Sequence, residues 1–336
     1  MKKKILVTGA SGFIGSTIID KALELGYDAW AGIREGSSKK YLQDSDINFI
    51  NLNYASKDIL KEQLNDLSKL NGPFDYIVHC AGITKAINTD DFDNVNYLQT
   101  QNFVDALIET NTTPELFVFM STLGVMGPGD EINYTPISHN QVPNPNTAYG
   151  KSKLKAENYI KGISNFPYLF LRPTGVYGPR DKDYLILIKS IKNGFEVGAG
   201  YKKQILSFIY VEDLADIIFD SINKNISRRE YNISDGDSYT DTEFNDIVKG
   251  VLGKRRTIKF KLPLQVVKAA ASINEKLSQL LGKATTFNSD KYNIMKQRNW
   301  KCDITPLQDE LGFKAKYPLQ TGVERTIKWY QLEGWL

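Results

Sequence analysis

The chain has 336 residues, 41% of them hydrophobic and 24% charged, with 42 Lys and Arg against 39 Asp and Glu for a net charge of +3. Such a composition excludes global disorder, and so even a balance argues against a nucleic-acid binder unless the charges cluster. The length exceeds one average domain and falls short of three, which predicts one large α/β domain with a smaller lobe, or two domains.

Two cysteines, Cys80 and Cys302, and two histidines, His79 and His139, supply neither a disulfide framework nor a zinc site of ordinary spacing. No metal is expected. The basic start, residues 1–4 followed by Ile5-Leu6-Val7, begins like an export signal, but Thr8-Gly9 stops the apolar run. No later apolar stretch approaches the roughly 18–20 residues of a spanning helix. The expectation is a cytoplasmic, reduced protein without stable membrane insertion.

In chain order, short β-rich runs alternate with helical patterns: 4–7 then 14–25, 29–33 then a polar segment, and 49–52 then 59–70. The series continues with 76–80 and a helix near 97–109, 116–120 and a helix near 149–163, and a strand at 168–171. This alternation predicts a doubly wound parallel sheet covered on both faces, with ligands outside the carboxyl ends of the strands. After Arg172-Pro173 turn-rich sequence takes over, although 207–211 and 231–233 still read as strands. The main domain is therefore expected over 1–173, with 205–233 returning to it, and a smaller interleaved lobe over 174–204 and 234–336. The Ala- and Leu-rich stretch 264–281, interrupted by Lys268, Glu275 and Lys276, reads as a packed lobe helix. An interfacial membrane helix would carry more Lys and Arg on its polar face.

The first strand runs into Thr8-Gly9-Ala10-Ser11-Gly12-Phe13-Ile14-Gly15, and a helix follows. Glycines at this spacing permit a tight turn, close approach of backbone N–H groups to a pyrophosphate, and close helix-on-sheet packing. A phosphate loop of the Lys-Ser/Thr kind is excluded, because Ser16-Thr17 stands where that pair belongs. A dinucleotide is the better ligand. The second strand ends at Gly32-Ile33-Arg34 with no carboxylate to hold a ribose 2′-hydroxyl. Arg34, supported by Ser37, Ser38, Lys39 and Lys40, favours the 2′-phosphate of NADP over NAD. The competing reading makes Arg34 a solvated surface charge.

Tyr149 and Lys153 stand four residues apart at the start of a helix and so share a face. A nearby ammonium would favour the phenolate and make Tyr149 a proton donor and acceptor. The fifth strand ends in Met120-Ser121-Thr122, which offers Thr122 as a hydrogen-bond partner for a substrate oxygen. Taken in order, these features resemble the extended short-chain dehydrogenase/reductase, or NAD(P)-dependent epimerase/dehydratase, family. The resemblance includes Val78-His79-Cys80-Ala81-Gly82, Asn94-Val95-Asn96, Arg172-Pro173-Thr174-Gly175-Val176-Tyr177-Gly178 and Phe208-Ile209-Tyr210-Val211-Glu212-Asp213.

The resemblance implies a Rossmann-type sheet with a C-terminal substrate lobe. It implies Tyr149 as acid/base, Lys153 lowering its pKa and holding the nicotinamide ribose, and Thr122 orienting the reacting oxygen with Ser121 behind it. Gly9, Ser11, Gly12, Phe13, Ile14 and Gly15 would line the pyrophosphate, and Asn53, where an aspartate is commoner, would lie near the adenine. Cys80, Ala81, Gly82 and Asn96 would follow the cofactor, and Pro173 and Thr174 the nicotinamide. A homodimer is implied by analogy.

Nucleotide-sugar members usually place an arginine at the position of Leu206 and an asparagine at that of Gly175. Both diphosphate anchors are missing here, although Arg180, Lys202 or Lys203 would supply charge. Leu123-Gly124 replaces the Asp-Glu pair that sugar 4,6-dehydratases carry after the threonine, so dehydration is not expected. Arg34, Leu123, Leu206 and the region after Phe260 are more similar to dihydroflavonol reductases and 3β-hydroxysteroid dehydrogenases. The expected activity is hydride transfer between nicotinamide and a carbonyl or secondary alcohol of a small, partly apolar substrate. The alternatives are a nucleotide-sugar epimerase and a non-catalytic NADP-binding sensor or scaffold.

A nucleophilic hydrolase fails for want of a base beside Ser121 and of a Gly-x-Ser-x-Gly elbow. The basic clusters 2–4 and 254–256 lack interleaved aromatics, which leaves nucleic acid a minor option. The Pro-, Asn- and Gly-rich segment 127–147 is expected to border the substrate, its plainer reading being a long surface connection.

Overall fold

The computed structural model describes residues 2–282, 285 and 287–336; Met1, at the head of the basic run, lies outside them. β1 (Lys4–Thr8) leads through the glycine turn into α1 (Phe13–Glu24), then β2 (Asp28–Gly32), β3 (Asn48–Ile50), α2 (Lys57–Asn71) and β4 (Tyr76–His79). α3 (Asp90–Phe92) passes through a π-helical turn, Asp93–Leu98, into α4 (Gln99–Glu109); β5 (Leu116–Met120), α5 (Ala148–Gly162) and β6 (Tyr168–Pro173) follow. The chain continues with β7 (Gly175–Tyr177), α6 (Asp183–Lys192), β8 (Phe195–Ala199), β9 (Ile205–Leu206), β10 (Phe208–Tyr210), α7 (Val211–Asn223) and β11 (Arg229–Ile233). It closes with β12 (Tyr239–Thr240), α8 (Asp241–Val251), β13 (Ile258–Leu262), α9 (Leu264–Leu281), α10 (Ser289–Met295), α11 (Thr305–Leu311) and α12 (Leu319–Leu332).

Seven strands form one sheet in the order β11-β6-β5-β4-β1-β2-β3. The ladders from β6 to β3 are parallel, with Ile5 opposite both Ala29 and Tyr76. β5 is buried along its whole length, as a strand covered on both faces must be. The strand order reverses between β1 and β4, and right-handed crossovers then place α1 on the face opposite α2, α4 and α5. On the latter face Leu60 and Leu64 of α2, Phe103 and Leu107 of α4, and Ile160 of α5 pack with Phe117 and Phe119 of the sheet in one buried cluster.

The chain divides into two compact units. Unit 1 comprises 1–122, 148–172 and 215–231; unit 2 comprises 123–147, 173–214 and 232–336. The 207–211 run does not enter the seven-stranded sheet: Phe208–Tyr210 pairs in parallel with Gly175–Tyr177 in a sheet of its own. Only β11 joins the large sheet, because β6 offers it an open edge. Unit 2 has its own core, in which Tyr177, Phe208, Tyr210, Phe244, Val323 and Tyr330 pack together. Thr240 and Glu243 close a capping box at the start of α8.

Segment 127–147 is fastened within unit 2. The Asn299 side chain donates to the Asp130 and Thr135 carbonyls at 2.8 Å each, and Gly129 N–H donates to the Asn299 carbonyl at 3.0 Å. Arg298 adds an ion pair to Glu131 at 3.0 Å. A long stretch without helix or strand is thus held by partners far along the chain, Asn299 among them being buried.

Candidate active site

The strand reversal puts the carboxyl ends of β1 and β4 side by side, where Thr8 pairs with His79. Gly9 follows at φ +66°, and a Cβ there would lie 2.9 Å from Ala81 N. A Cβ on Gly15 would lie 2.4 Å from the Gly9 carbonyl oxygen. Neither position admits a side chain without moving backbone. α1 then opens at Phe13 with Gly12 as its cap residue and no acid in its first turn. Such a helix start favours an anion.

A directed chain of hydrogen bonds fixes the loop after β4. Ala81 N–H donates to Thr8 Oγ1 at 3.0 Å, and Thr100 Oγ1 donates to the Asn96 carbonyl at 2.9 Å. Thr8 Oγ1 therefore donates to His79 Nδ1 at 2.9 Å, and His79 Nε2–H donates to Thr100 Oγ1 at 3.1 Å. Burial holds the His79 imidazole down to about 3, with the charge of Lys153 adding to the effect, so the ring stays neutral in this tautomer. Thr8, His79 and Thr100 do not stand out as a set in the sequence, because they lie on two strands and a helix.

Asn96 accepts from Ile83 N–H at 2.8 Å and donates to the Ile83 carbonyl and to Ser152 Oγ. It clamps the loop to α5, so its side chain is directed at the protein. Ser152 Oγ in turn donates to the Tyr149 carbonyl at 2.8 Å.

α5 begins at Ala148 and brings Tyr149 and Lys153 onto one face. Lys153 is buried, donates from Nζ to the Met120 carbonyl at 2.9 Å, and lies 4.6 Å from the centre of the Phe119 ring. A Cβ on Gly82 would come within 3.3 Å of Nζ. The helix therefore delivers its ammonium to the ends of β4 and β5. Burial lowers Lys153 to about 8, against the opposing effects of Cys80 and Glu157. Burial also pushes the Tyr149 phenol up to about 12 and, less the effect of Lys153, the Cys80 thiol up to about 12. The cause of the raised Tyr149 value is desolvation.

Ser121 continues β5 and is buried, with no hydrogen-bond partner for its Oγ among the described residues. Thr122 follows, partly exposed. α5 is pinned to β6 beneath this point: buried Arg172 donates to Glu157 from Nε at 3.0 Å and from Nη2 at 2.5 Å, and also reaches Glu230 at 2.5 Å.

Arg34 is exposed just beyond β2, and Asn53 is exposed with its side chain accepting from Ala55 N–H at 3.2 Å. Pro173 and Thr174 fall in unit 2, where Thr174 Oγ1 donates to the Ile233 carbonyl at 3.0 Å. At Gly175 a Cβ would sit 2.1 Å from the Tyr184 hydroxyl, so that phenol takes the space a side chain here would fill. Leu206 is half-buried against the unit 2 core, whereas Lys202 and Lys203 are exposed.

A putative UDP-glucose 4-epimerase of Methanocaldococcus jannaschii is 27% identical to this chain, with 97% of each covered. The sterol-4-alpha-carboxylate 3-dehydrogenase (decarboxylating) of Saccharomyces cerevisiae is 22% identical, again over 97% of each. Among solved structures, dTDP-glucose 4,6-dehydratase of Bacillus anthracis in complex with NAD superposes with a TM-score of 0.77 at 17% identity, covering 99% of this chain and 98% of that one. Residues 5–234 match the NAD dependent epimerase/dehydratase family, and the chain belongs to it, an enzyme of the extended short-chain dehydrogenase/reductase type.

Proposed function

We propose that the protein transfers hydride between NADP and a carbonyl or secondary alcohol of a small, partly apolar substrate, with Tyr149 as acid/base. The observation that carries this reading is the delivery of Lys153 Nζ, one helical turn from Tyr149, to the carbonyl of Met120, the residue before Ser121, whose buried hydroxyl has no partner among the described residues. A buried hydroxyl without a partner is costly, and a ligand group satisfies it.

The residues present fit a nicotinamide dinucleotide. Gly9, Ser11, Gly12, Phe13, Ile14 and Gly15 would cradle its pyrophosphate on backbone that excludes side chains at Gly9 and Gly15. Ala81 and Gly82 would border it, Lys153 and Ser121 would hold it, and Arg34 would meet a 2′-phosphate. When bound, that group supplies or accepts the hydride. Thr122 holds the substrate oxygen by a hydrogen bond, and Tyr149 Oη gives it a proton in reduction or takes one in oxidation. A phenol raised to about 12 is protonated at neutral pH, the state that reduction needs.

On this reading unit 1 carries the cofactor and unit 2 the substrate, in a cytoplasmic homodimer. Leu206 and the Tyr184-filled space at Gly175 support a substrate without a diphosphate, as does the yeast relative named for a sterol. A nucleotide-sugar epimerase is the second reading, favoured by the identity to the archaeal epimerase. Thermal unfolding with NADP, NAD, UDP-glucose and hydrophobic ketones separates the two, since a ligand stabilises by mass action. Hydrophobic ketones should raise the midpoint in the presence of NADP. Stabilisation by UDP-glucose alone would sink the reductase reading. Arg34→Asp should weaken NADP more than NAD, and equal loss for both would remove the 2′-phosphate contact.

A further inference from the structure

Helix α9 exposes an apolar stripe. Val266, Ile273, Leu277 and Leu280 recur at helical spacing and all face away from the protein, Ile273 being 61% and Leu280 82% exposed. Three polar residues turn inward, whereas Gln265, Lys268, Lys276 and Gln279 are exposed beside the apolar stripe. Asn274 donates to the Phe287 carbonyl and to Thr285, Glu275 accepts from Ser289, and Ser278 is buried beside Val267 and Ala271. A helix packed into its lobe by its main apolar stripe would bury Val266, Ile273, Leu277 and Leu280.

The strand pair that precedes α9 repeats the exposure. β13 runs parallel to β8, setting Ile258 opposite Phe195 and Phe260 opposite Val197, and all four are exposed, with Leu262 continuing the same face. The Phe195 and Phe260 rings lie 6.1 Å apart. Alternate residues point to the other side, where Glu196 is buried and paired with Lys249 at 2.9 Å. Lys261 reaches Asp241 there at 3.3 Å. Two consecutive elements of unit 2 thus present contiguous apolar side chains to the exterior, which marks an interaction surface and not scattered exposure.

The charge around these elements chooses the occupant. Between 254 and 281 seven Lys and Arg stand against one acid, Glu275, although the whole chain is nearly balanced. Lys254, Arg255 and Arg256 are exposed immediately before β13, and Lys268 and Lys276 are exposed on α9. A second copy is disfavoured, because a twofold contact would set this basic segment against itself. We propose that β8, β13 and α9 form a docking surface for an anionic lipid bilayer: apolar side chains enter the headgroup boundary while the basic residues meet lipid phosphates. No helix among the described residues is long and apolar enough to cross a membrane, so the contact is peripheral.

Flotation of the full chain with phosphatidylcholine vesicles, with and without phosphatidylglycerol, tests this. The protein should float with the anionic vesicles only and be released by salt. The pairs Ile273→Asp/Leu277→Asp and Arg255→Glu/Arg256→Glu should each lower partitioning by roughly tenfold or more. All four residues are exposed, so urea midpoints and cofactor affinity should stay at the wild-type values.

Failure to float with anionic vesicles would overturn the proposal. Full binding by the Ile273→Asp/Leu277→Asp variant would do so as well, leaving only adsorption of charge. Wild-type self-association that this variant abolishes, without any vesicle binding, would assign the face to a second copy. The measurement needs neither cofactor nor substrate, so its outcome is separate from that of the proposed reaction.

Discussion

At Gly15 the demand on a single residue is sharpest, because a methyl group would press to 2.4 Å from the Gly9 carbonyl oxygen, which is backbone and cannot swing aside. Gly15→Ala should fold yet weaken dinucleotide binding by roughly tenfold or more, since the loop must shift where it approaches the pyrophosphate. Calorimetric titration with NADP checks this, and unchanged affinity would contradict the cradle. The glycine spacing and the Tyr149–Lys153 pair were legible because each is local in sequence. Tyr184 was not: it follows Gly175 by nine residues, and only the folded chain sets its hydroxyl where a side chain on Gly175 would go. The raised value of the phenol was likewise hidden, because a spacing of four residues says nothing of the burial that raises it.

The alternation of strands and helices was readable at the scale of elements, because β1, β4, β5 and β6 are short apolar runs bounded by turns and connected by amphipathic helices. Strand Phe208–Tyr210 carries the same apolar signal, and nothing in its sequence says that its partner is Gly175–Tyr177. α9 was legible as a helix, but periodicity defines a stripe and not the side on which the protein lies. The position of α5, and with it Tyr149 and Lys153, depends on the buried Arg172–Glu157 pair, which ties that helix to β6. Arg172→Met would leave the buried Glu157 side chain without its partner, and should cost about 3–5 kcal/mol in urea unfolding. Arg172→Met/Glu157→Leu should recover much of that loss. A single variant as stable as the wild type would show that α5 is held by apolar packing alone.

Over the whole molecule, a neutral buried His79 couples stability to pH. Its folded-state value lies near 3 against an ordinary 6.5. Its stabilising contribution is therefore complete above pH 6.5 and is lost progressively as pH falls through that value toward 3, where the unfolded chain binds the proton. The slope is about 1.4 kcal/mol per pH unit, or roughly 2 kcal/mol between pH 6.5 and 5. His79→Gln, which keeps a donor and an acceptor, should flatten this part of the profile in urea unfolding, and an unaltered slope would assign the acid sensitivity to other groups. The central claim, that one buried helix face of an extended short-chain dehydrogenase/reductase moves the proton, is tested most directly by carbonyl reduction with NADPH. The measurement compares wild type with Tyr149→Phe in a single turnover, using whichever ketone stabilises the protein. Tyr149→Phe should bind NADPH with unchanged affinity and lose about 10²- to 10⁴-fold in rate; hydride transfer at the wild-type rate would contradict the account.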